Sequence, residues 1–104
     1  MRQDKQSKTL KQAAMFLTGT SGTVGHDDID NSTWWFHGNL IASRSQDTEY
    51  TYHISISNCG CLTQSTARRL RALCSMLGKQ FEIKKGVWYI DNKEMPYNTL
   101  YRIT

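Results

Sequence analysis

Hydrophobic residues recur at helical intervals in one part of this chain, residues 61–77. Four apolar side chains follow the i, i+3, i+4, i+7 spacing that places them on one side of an α-helix: Leu70, Leu73, Cys74 and Leu77. Thr63 and Ser65 can each cap the N-terminus, because a side-chain hydroxyl accepts a hydrogen bond from a free backbone N–H of the first turn. Gly78 can end the helix in the left-handed conformation. The pattern predicts a main amphipathic helix over residues 64–77.

Strand patterns lie on both sides of this helix. Over residues 50–57, Tyr and Ile alternate with Thr, His and Ser, which predicts an antiparallel strand with one exposed face. Residues 33–43 are rich in aromatic and aliphatic side chains and predict two strands joined by a turn at Gly38-Asn39. Residues 80–91 predict a hairpin with its turn at Lys85-Gly86. The segment after it predicts an edge strand.

The N-terminal third of the chain carries weaker signals. Residues 1–17 have the spacing of a short amphipathic helix, and we expect its polar end, residues 1–8, to be frayed. Residues 18–32 are rich in Gly, Ser, Thr and Asp and predict a long loop. Together the segments predict an α+β fold, in which the main helix covers one face of a small antiparallel β-sheet and the N-terminal helix is weaker.

Composition limits the number of domains, the possible partners and the cellular compartment of the protein. A chain of 104 residues suits a single domain, residues 1–104, with one modest core. The net charge of +4 permits contact with nucleic acid or with an acidic protein surface but requires neither. No apolar run is long enough for a membrane span or a signal peptide, so we expect a cytosolic protein without a membrane partner. Three cysteines suit a reducing compartment, because an odd number leaves one unpaired in a monomer.

Aromatic and basic residues supply the strongest candidates for a binding surface. The predicted contact residues are Arg68, Arg69, Arg71, Lys84, Lys85, Trp34, Trp35 and Tyr52. Basic residues interleaved with aromatic ones suit single-stranded nucleic acid, where bases stack on rings and phosphates meet cations. Trp, Tyr and Arg are also the residues that protein–protein interfaces favour. Adjacent tryptophans point to opposite faces of a strand, so an exposed aromatic face would imply a homodimer or another partner.

Catalysis and metal binding have weaker support in the sequence than a binding surface has. The segment His26–Asp30 groups carboxylates beside an imidazole, which a hard-cation site or a general acid–base would use. Its spacing does not match a calcium loop, and solvated turns explain it more simply. Cys59 and Cys61 are spaced too closely for the usual zinc pairs, and Cys74 lies on the apolar side of the main helix. We therefore predict no metal, no cofactor and no enzymatic activity.

Two segments resemble a group of small tailed-phage proteins of uncharacterised function. The sequence W-F-H-G-N-L-I-A is followed, after a strand, by S-N-C-G-C-L-T-Q-S-T-A-R-R-L. The group has similar segments, L-H-G-N-x-I-A and then G-x-x-T-x-T-T-x-x-R-L. The hairpin K-K-G-V-W-Y-I-D-N-K-E is similar as well, whereas His26 departs from an Asn in the group. The resemblance covers Phe16 to Glu94.

The resemblance implies an accessory phage protein that works in the cytoplasm of a bacterial host. Proteins of this kind often act by binding host macromolecules. We therefore expect a protein that binds a host protein, such as a component of a defence system, as an anti-CRISPR-like inhibitor does. The alternative is a module that binds single-stranded DNA or RNA. A weaker alternative is a metal-dependent enzyme that uses the His26–Asp30 segment.

Overall fold

The computed structural model describes residues 5–104, with side chains described from residue 8 onward. Within this part the chain forms two helices and nine strands. The helices are α1 (Lys5–Thr18) and α2 (Gln64–Met76). The strands are β1 (Gly22–Val24), β2 (Asp27–Ile29), β3 (Thr33–Phe36), β4 (Asn39–Gln46), β5 (Tyr52–Ile56), β6 (Phe81–Lys84), β7 (Val87–Ile90), β8 (Lys93–Glu94) and β9 (Tyr101–Arg102). The predicted α+β class is confirmed.

A six-stranded antiparallel sheet forms the larger layer of the described chain, in the order β1-β2-β3-β4-β5-β9. Between β3 and β4 the register shifts, so that Ile41 is an extra residue between the pairs Trp34–Ala42 and Trp35–Leu40. Such a β-bulge bends the strand and re-aims its side chains. Here it lets Ile41 and Ala42 both point into the core, where they are 1% and 0% exposed.

Both helices pack on one face of this sheet. Trp34 is fully buried on that face, and its ring lies 5.9 Å from the ring of Phe16 in α1. From α2, the guanidinium of Arg69 lies over the ring of Phe36 on the same face. Trp35 points the other way and is 39% exposed. The prediction that the adjacent tryptophans point to opposite faces is therefore confirmed.

The main helix is confirmed, with its last residue one position earlier than predicted. Thr63 rather than Ser65 is the N-cap, because its hydroxyl accepts a hydrogen bond from the backbone N–H of Thr66. Gly78 follows the helix with a φ of +73°, the left-handed conformation that glycine adopts without strain. The predicted apolar side is buried, and three of its members are fully inaccessible to solvent: Leu70, Leu73 and Cys74.

A second, three-stranded sheet of order β6-β7-β8 extends the core beyond α2. The hairpin turn at Lys85-Gly86 is confirmed, and both of its residues have positive φ. Phe81 and Trp88 are buried and pack edge to face, with ring centroids 5.4 Å apart. The sequence predicts a single sheet, whereas the described chain has two, because β6, β7 and β8 pair with one another and with no strand of the larger sheet.

Residues 18–32 contain a hairpin where a long loop was predicted. Strands β1 and β2 pair across a turn at Gly25, which has a φ of +61°. Each strand has three residues, too few for alternation to be detected in the sequence. The turn between β3 and β4 also lies one residue earlier than predicted, at His37-Gly38. The predicted frayed end falls partly on residues 1–4, which lie outside the described part.

The C-terminal segment forms an edge strand of the larger sheet, as predicted, because β9 pairs with β5. Asn58 is 2% exposed and holds this segment in place. Its side-chain oxygen accepts hydrogen bonds from the backbone N–H of Gly60, at 2.9 Å, and of Asn98, at 2.8 Å. Neither helix of the described chain has the length and hydropathy needed to span a membrane.

Candidate functional site

The aromatic residues predicted to bind a partner lie in different parts of the fold. Trp34 belongs to the core and is 0% exposed, so it offers no surface to a partner. Trp35 lies on the sheet face opposite the helices, where its indole N–H donates to the hydroxyl of Thr33 at 3.0 Å. The two tryptophans therefore cannot form one stacking platform.

Tyr52 lies near the end of α1, where it contacts Arg44. The Arg44 guanidinium lies 5.1 Å from the centre of the Tyr52 ring. It also donates to the backbone oxygen of Leu17 at 2.9 Å and to that of Asn31. A cation at the C-terminal carbonyls of a helix is favourable. Tyr52 thus covers a structural arginine, and its exposed fraction of 48% leaves part of the ring accessible.

Arg69 is engaged inside the protein. Its Nε donates to Asp27 Oδ2 at 2.7 Å, and its Nη2 donates to Asp27 Oδ1 at 2.8 Å. The same carboxylate accepts from the indole N–H of Trp34 at 2.8 Å. Nη1 of Arg69 donates to the backbone oxygen of Ser65 at 2.9 Å, and its Cζ lies 3.7 Å from the Phe36 ring centre. Arg69, the middle one of the three predicted arginines, is therefore occupied by contacts within the protein and is not a free surface cation.

This network joins α2 to β2 and was missed in the sequence. The Asp27 side chain is 1% exposed and that of Arg69 is 14% exposed. A buried carboxylate needs a partner that satisfies both its charge and its lone pairs, and a two-point arginine contact does so. The alternation in Asp27-Asp28-Ile29, which places Asp27 on the side of Ile29, was the available signal. It was weak because the strand has three residues.

The two predicted lysines lie at the tip of the β6–β7 hairpin, outside the helical layer. Lys84 pairs with Glu82 at 3.4 Å and lies 5.6 Å from the Tyr89 ring centre. Lys85 occupies the turn itself. Both lysines are exposed. Lys84 is partly neutralised by its carboxylate neighbour, so the hairpin tip is a weaker source of positive charge than two free lysines.

The remaining predicted arginines lie on α2. Arg68 lines a cleft together with Lys8 of α1, and the Arg71 guanidinium lies 5.2 Å from the centre of the Phe81 ring in β6. Neither helix contains an acidic residue. Each carries cations at i, i+3 spacing, which places neighbouring side chains on one side of a helix, and of these Arg68 is half-buried. We define the basic helical face as the set Lys8, Lys11, Arg68 and Arg71. Within residues 8–104, none of these four side chains has a carboxylate partner.

A cleft of about 260 Å³ lies where the two helices meet the larger sheet. Lys8 of α1 and Arg68 of α2 line it, together with Ser65 and two histidines. His26 precedes β2 and His37 follows β3, so the pairing of these strands places the two residues opposite each other. Their rings stack with centroids 4.1 Å apart. Arg69, which is paired with Asp27, also lines the cleft. The cleft thus combines three cationic side chains with two imidazoles.

The acidic groups of the His26–Asp30 segment do not converge. Asp27 points into the core, whereas Asp28 is exposed and accepts a hydrogen bond from the hydroxyl of Thr23 at 2.8 Å. Asp30 accepts backbone hydrogen bonds from Ser32 and Thr33, and these bonds, the one from Ser32 foremost, lower its pKa. Among the residues that the structure describes, no group of three or more His, Cys, Asp or Glu side chains is arranged to hold a metal.

The three cysteines are free thiols in different surroundings. Cys59 and Cys61 line an apolar cavity of about 230 Å³ beside the N-terminus of α2. The Cys59 thiol donates to the backbone oxygen of Leu40 at 2.6 Å, and burial raises its pKa. Cys74 is buried under α2, and desolvation raises its pKa to about 12. Because their pKa values are raised, Cys59 and Cys74 behave as small apolar groups rather than as nucleophiles.

Comparison with protein families agrees with the resemblance to phage proteins. The family model described as Kyanoviridae Gp96 protein matches residues 4–104, nearly the whole chain. The chain belongs to the Kyanoviridae Gp96 protein family. Comparisons with curated proteins and with solved structures found no match.

Membership of the Kyanoviridae Gp96 family confirms that this is a phage protein. The particular motif pattern on which the resemblance was based stays a prediction. The fold places two of the predicted contact residues, Trp34 and Arg69, inside the protein. It leaves Arg68 and Arg71 together on the helices, beside a cleft that also contains His26. These positions define the surface from which a function can be argued.

Proposed function

We propose that this phage protein acts by binding an acidic surface of a host protein through its basic helical face. The observation that carries the proposal is the segregation of charge. The helices contain no Asp or Glu, whereas every acidic residue of residues 5–104 lies in a strand or a connecting segment. Cations that lack a carboxylate partner create a positive potential, and such a potential attracts and orients an acidic partner.

Apolar side chains at the ends of α2 favour a protein as the partner. Leu62, just before the helix, is 48% exposed, and Met76, its last residue, is 43% exposed. Arg and Met are enriched in protein–protein interfaces, which combine apolar contacts with a polar rim. Leu62 and Met76 thus offer exposed apolar surface at the two ends of the helix that carries Arg68 and Arg71.

Nucleic acid is the second candidate, and the cleft beside Arg68 favours it. Lys8, Arg68 and two imidazoles in one cleft suit a phosphate group. The aromatic residues expected to stack with bases are not on this surface, because Trp34 is buried and Trp35 is on the opposite sheet face. Contact would therefore be made mainly with the phosphate backbone, whose affinity falls steeply as salt concentration rises.

The phage origin suggests where the protein acts and which kind of partner it binds. A phage protein that binds a host macromolecule acts in the infected bacterial cell. We therefore infer that it works in the host cytoplasm and that the partner is a component of a host defence system, whose inhibition would benefit the phage. Binding alone can supply this function, since occupying an acidic surface denies it to the natural ligand.

The test is recovery of partners from host lysate with the tagged protein, with and without nuclease. Two double variants lower the net charge equally. Arg68→Glu/Arg71→Glu changes the basic helical face, and Lys84→Glu/Lys85→Glu changes the tip of the β6–β7 hairpin. Circular dichroism would first establish that both variants are folded.

We expect the wild type and the hairpin variant to retain a host protein after nuclease treatment and the helical variant to lose it. Equal retention by the helical variant would contradict the proposal. Recovery of nucleic acid alone, lost on digestion and weakened by salt, would establish the second candidate instead.

A further inference from the structure

The cleft between α1, α2 and the end of the β2–β3 pair has the chemistry of a specific anion site. Two of its cations come from separate elements, Lys8 from α1 and Arg68 from α2, and the third, Arg69, is paired with Asp27. Its imidazoles, His26 and His37, come from the adjoining strand ends and are both exposed. Groups held by four separate segments converge only because the tertiary fold brings them together.

Asp27, a carboxylate that contacts the lining residues Gln12 and Arg69, does not compete for these donors. Asp27 is already bound by the Arg69 guanidinium and the Trp34 indole, and it is 1% exposed. Within residues 8–104, Lys8 and Arg68 have no ion-pair partner. An incoming anion would therefore meet cations that are not already neutralised.

Gln12 adds a second, independent observation. It is 3% exposed and lines the same cleft. Its amide nitrogen lies 3.4 Å from Asp27 Oδ1, which fixes the orientation of the amide because the carboxylate only accepts. Its amide oxygen is buried and has no hydrogen-bond donor among the described residues. This oxygen is closed off from solvent, so a ligand reaches it only if the Gln12 amide turns toward the cleft.

We propose that this cleft binds the phosphate group of a phosphate ester, the class that includes nucleotides and nucleic acid backbones. Lys8 and Arg68 provide charge, and the imidazoles and the Ser65 hydroxyl provide further hydrogen bonds. A volume of about 260 Å³ accommodates a phosphate with part of the attached group. This inference does not depend on whether the basic helical face binds a protein.

Nuclear magnetic resonance titration of the imidazole signals of His26 and His37 tests the proposal. The probes are inorganic phosphate, a mononucleotide and a short single-stranded oligonucleotide. The key variant is Arg68→Gln. The comparison variant is Arg71→Gln, which removes the same charge one helical turn further along, outside the cleft. His37→Asn is a second cleft variant, because Asn tolerates the φ of +53° that His37 adopts.

We expect saturable shifts of both imidazoles with at least one probe. Loss of a charge-assisted hydrogen bond should weaken binding by about tenfold or more in Arg68→Gln, with a clearly smaller loss in Arg71→Gln. If Arg68→Gln does not fold, His37→Asn must show the same weakening. The tightest probe identifies the source of the phosphate, either a free nucleotide or a polynucleotide.

Two results would overturn the proposal. One is the absence of saturable shifts with all three probes at concentrations up to about 10 mM. The other is equal weakening by Arg68→Gln and Arg71→Gln, which would mean that diffuse charge rather than the cleft attracts the anion. Neither result bears on the recovery of a host protein, so the two proposals fail separately.

Discussion

Arg69 and Asp27 form a two-point ion pair, Nε to Oδ2 at 2.7 Å and Nη2 to Oδ1 at 2.8 Å, which joins α2 to β2. The carboxylate is almost completely buried, and the Phe36 ring lies against the guanidinium. The pair explains why an arginine inside a basic sequence cluster does not belong to the binding surface. The pair therefore gives Arg69 a structural role, whereas the neighbouring Arg68 lines the cleft.

Arg69→Gln should destabilise the protein far more than Arg68→Gln. Removing Arg69 leaves a buried carboxylate without its cation, a change that typically costs about 3–5 kcal/mol in the free energy of unfolding. Arg68→Gln removes the same charge from the neighbouring position and should change that free energy by less than about 0.5 kcal/mol. Urea unfolding measures both values. Similar losses in the two variants would mean that the pair contributes little.

Trp34→Phe should be costly, and Trp35→Phe should be tolerated. The first change leaves Asp27 without the indole N–H at 2.8 Å and opens space in the core. Asp27 Oδ2 still accepts from Arg69 Nε, so the change removes one of the two donors that the described residues give this charged oxygen. Loss of a hydrogen bond to a charged group costs about 1.5–3 kcal/mol. Trp35 is partly exposed and donates to the Thr33 hydroxyl, which water can replace. Thermal unfolding of both variants provides the comparison, and equal melting temperatures would contradict the assigned faces.

The three thiols should react in order with a disulfide reagent at pH 8. Cys61 is partly exposed and should react first, whereas burial raises the pKa of Cys59 and should slow its reaction. Cys74, with its pKa raised to about 12, should react only when the protein unfolds. Counting reacted thiols over time in the wild type, Cys59→Ser and Cys61→Ser assigns each phase. Rapid reaction of all three in the folded protein would be inconsistent with this packing.

Asp30 should stabilise the turn before β3 in a pH-dependent manner. The backbone hydrogen bond from Ser32 and the bonds from Thr33 lower its pKa below the ordinary value of 3.8. Its contribution is therefore present above that value and is lost as the pH falls through the lowered pKa. Asp30→Asn should melt below the wild type at pH 7, and the difference should shrink at pH values well below 3.8. A difference that does not change with pH would exclude a role for the charge.

Local patterns in the sequence located several elements correctly. The helix α2 was predicted because four apolar side chains follow a helical period over two turns, and Gly78 marks its end. The hairpin at Lys85-Gly86 and the strand β5 were predicted from alternation and turn residues. The β1–β2 hairpin was missed because three-residue strands give no measurable period. The predicted contact residues were chosen by type, and residue type does not show which side chains are buried.

By itself, therefore, the sequence determined the α+β class and the main helix, because each is encoded over consecutive or closely spaced residues. The sequence also carries the phage relationship, through a family match along residues 4–104. Only the tertiary structure decided which cations are free. Asp27 and Arg69 are 42 positions apart, and His26 meets His37 only when β2 pairs with β3. Such contacts depend on how the elements pack, and no local period records them. The same packing pairs Arg69 with Asp27 and places Arg68 in the cleft beside the two histidines.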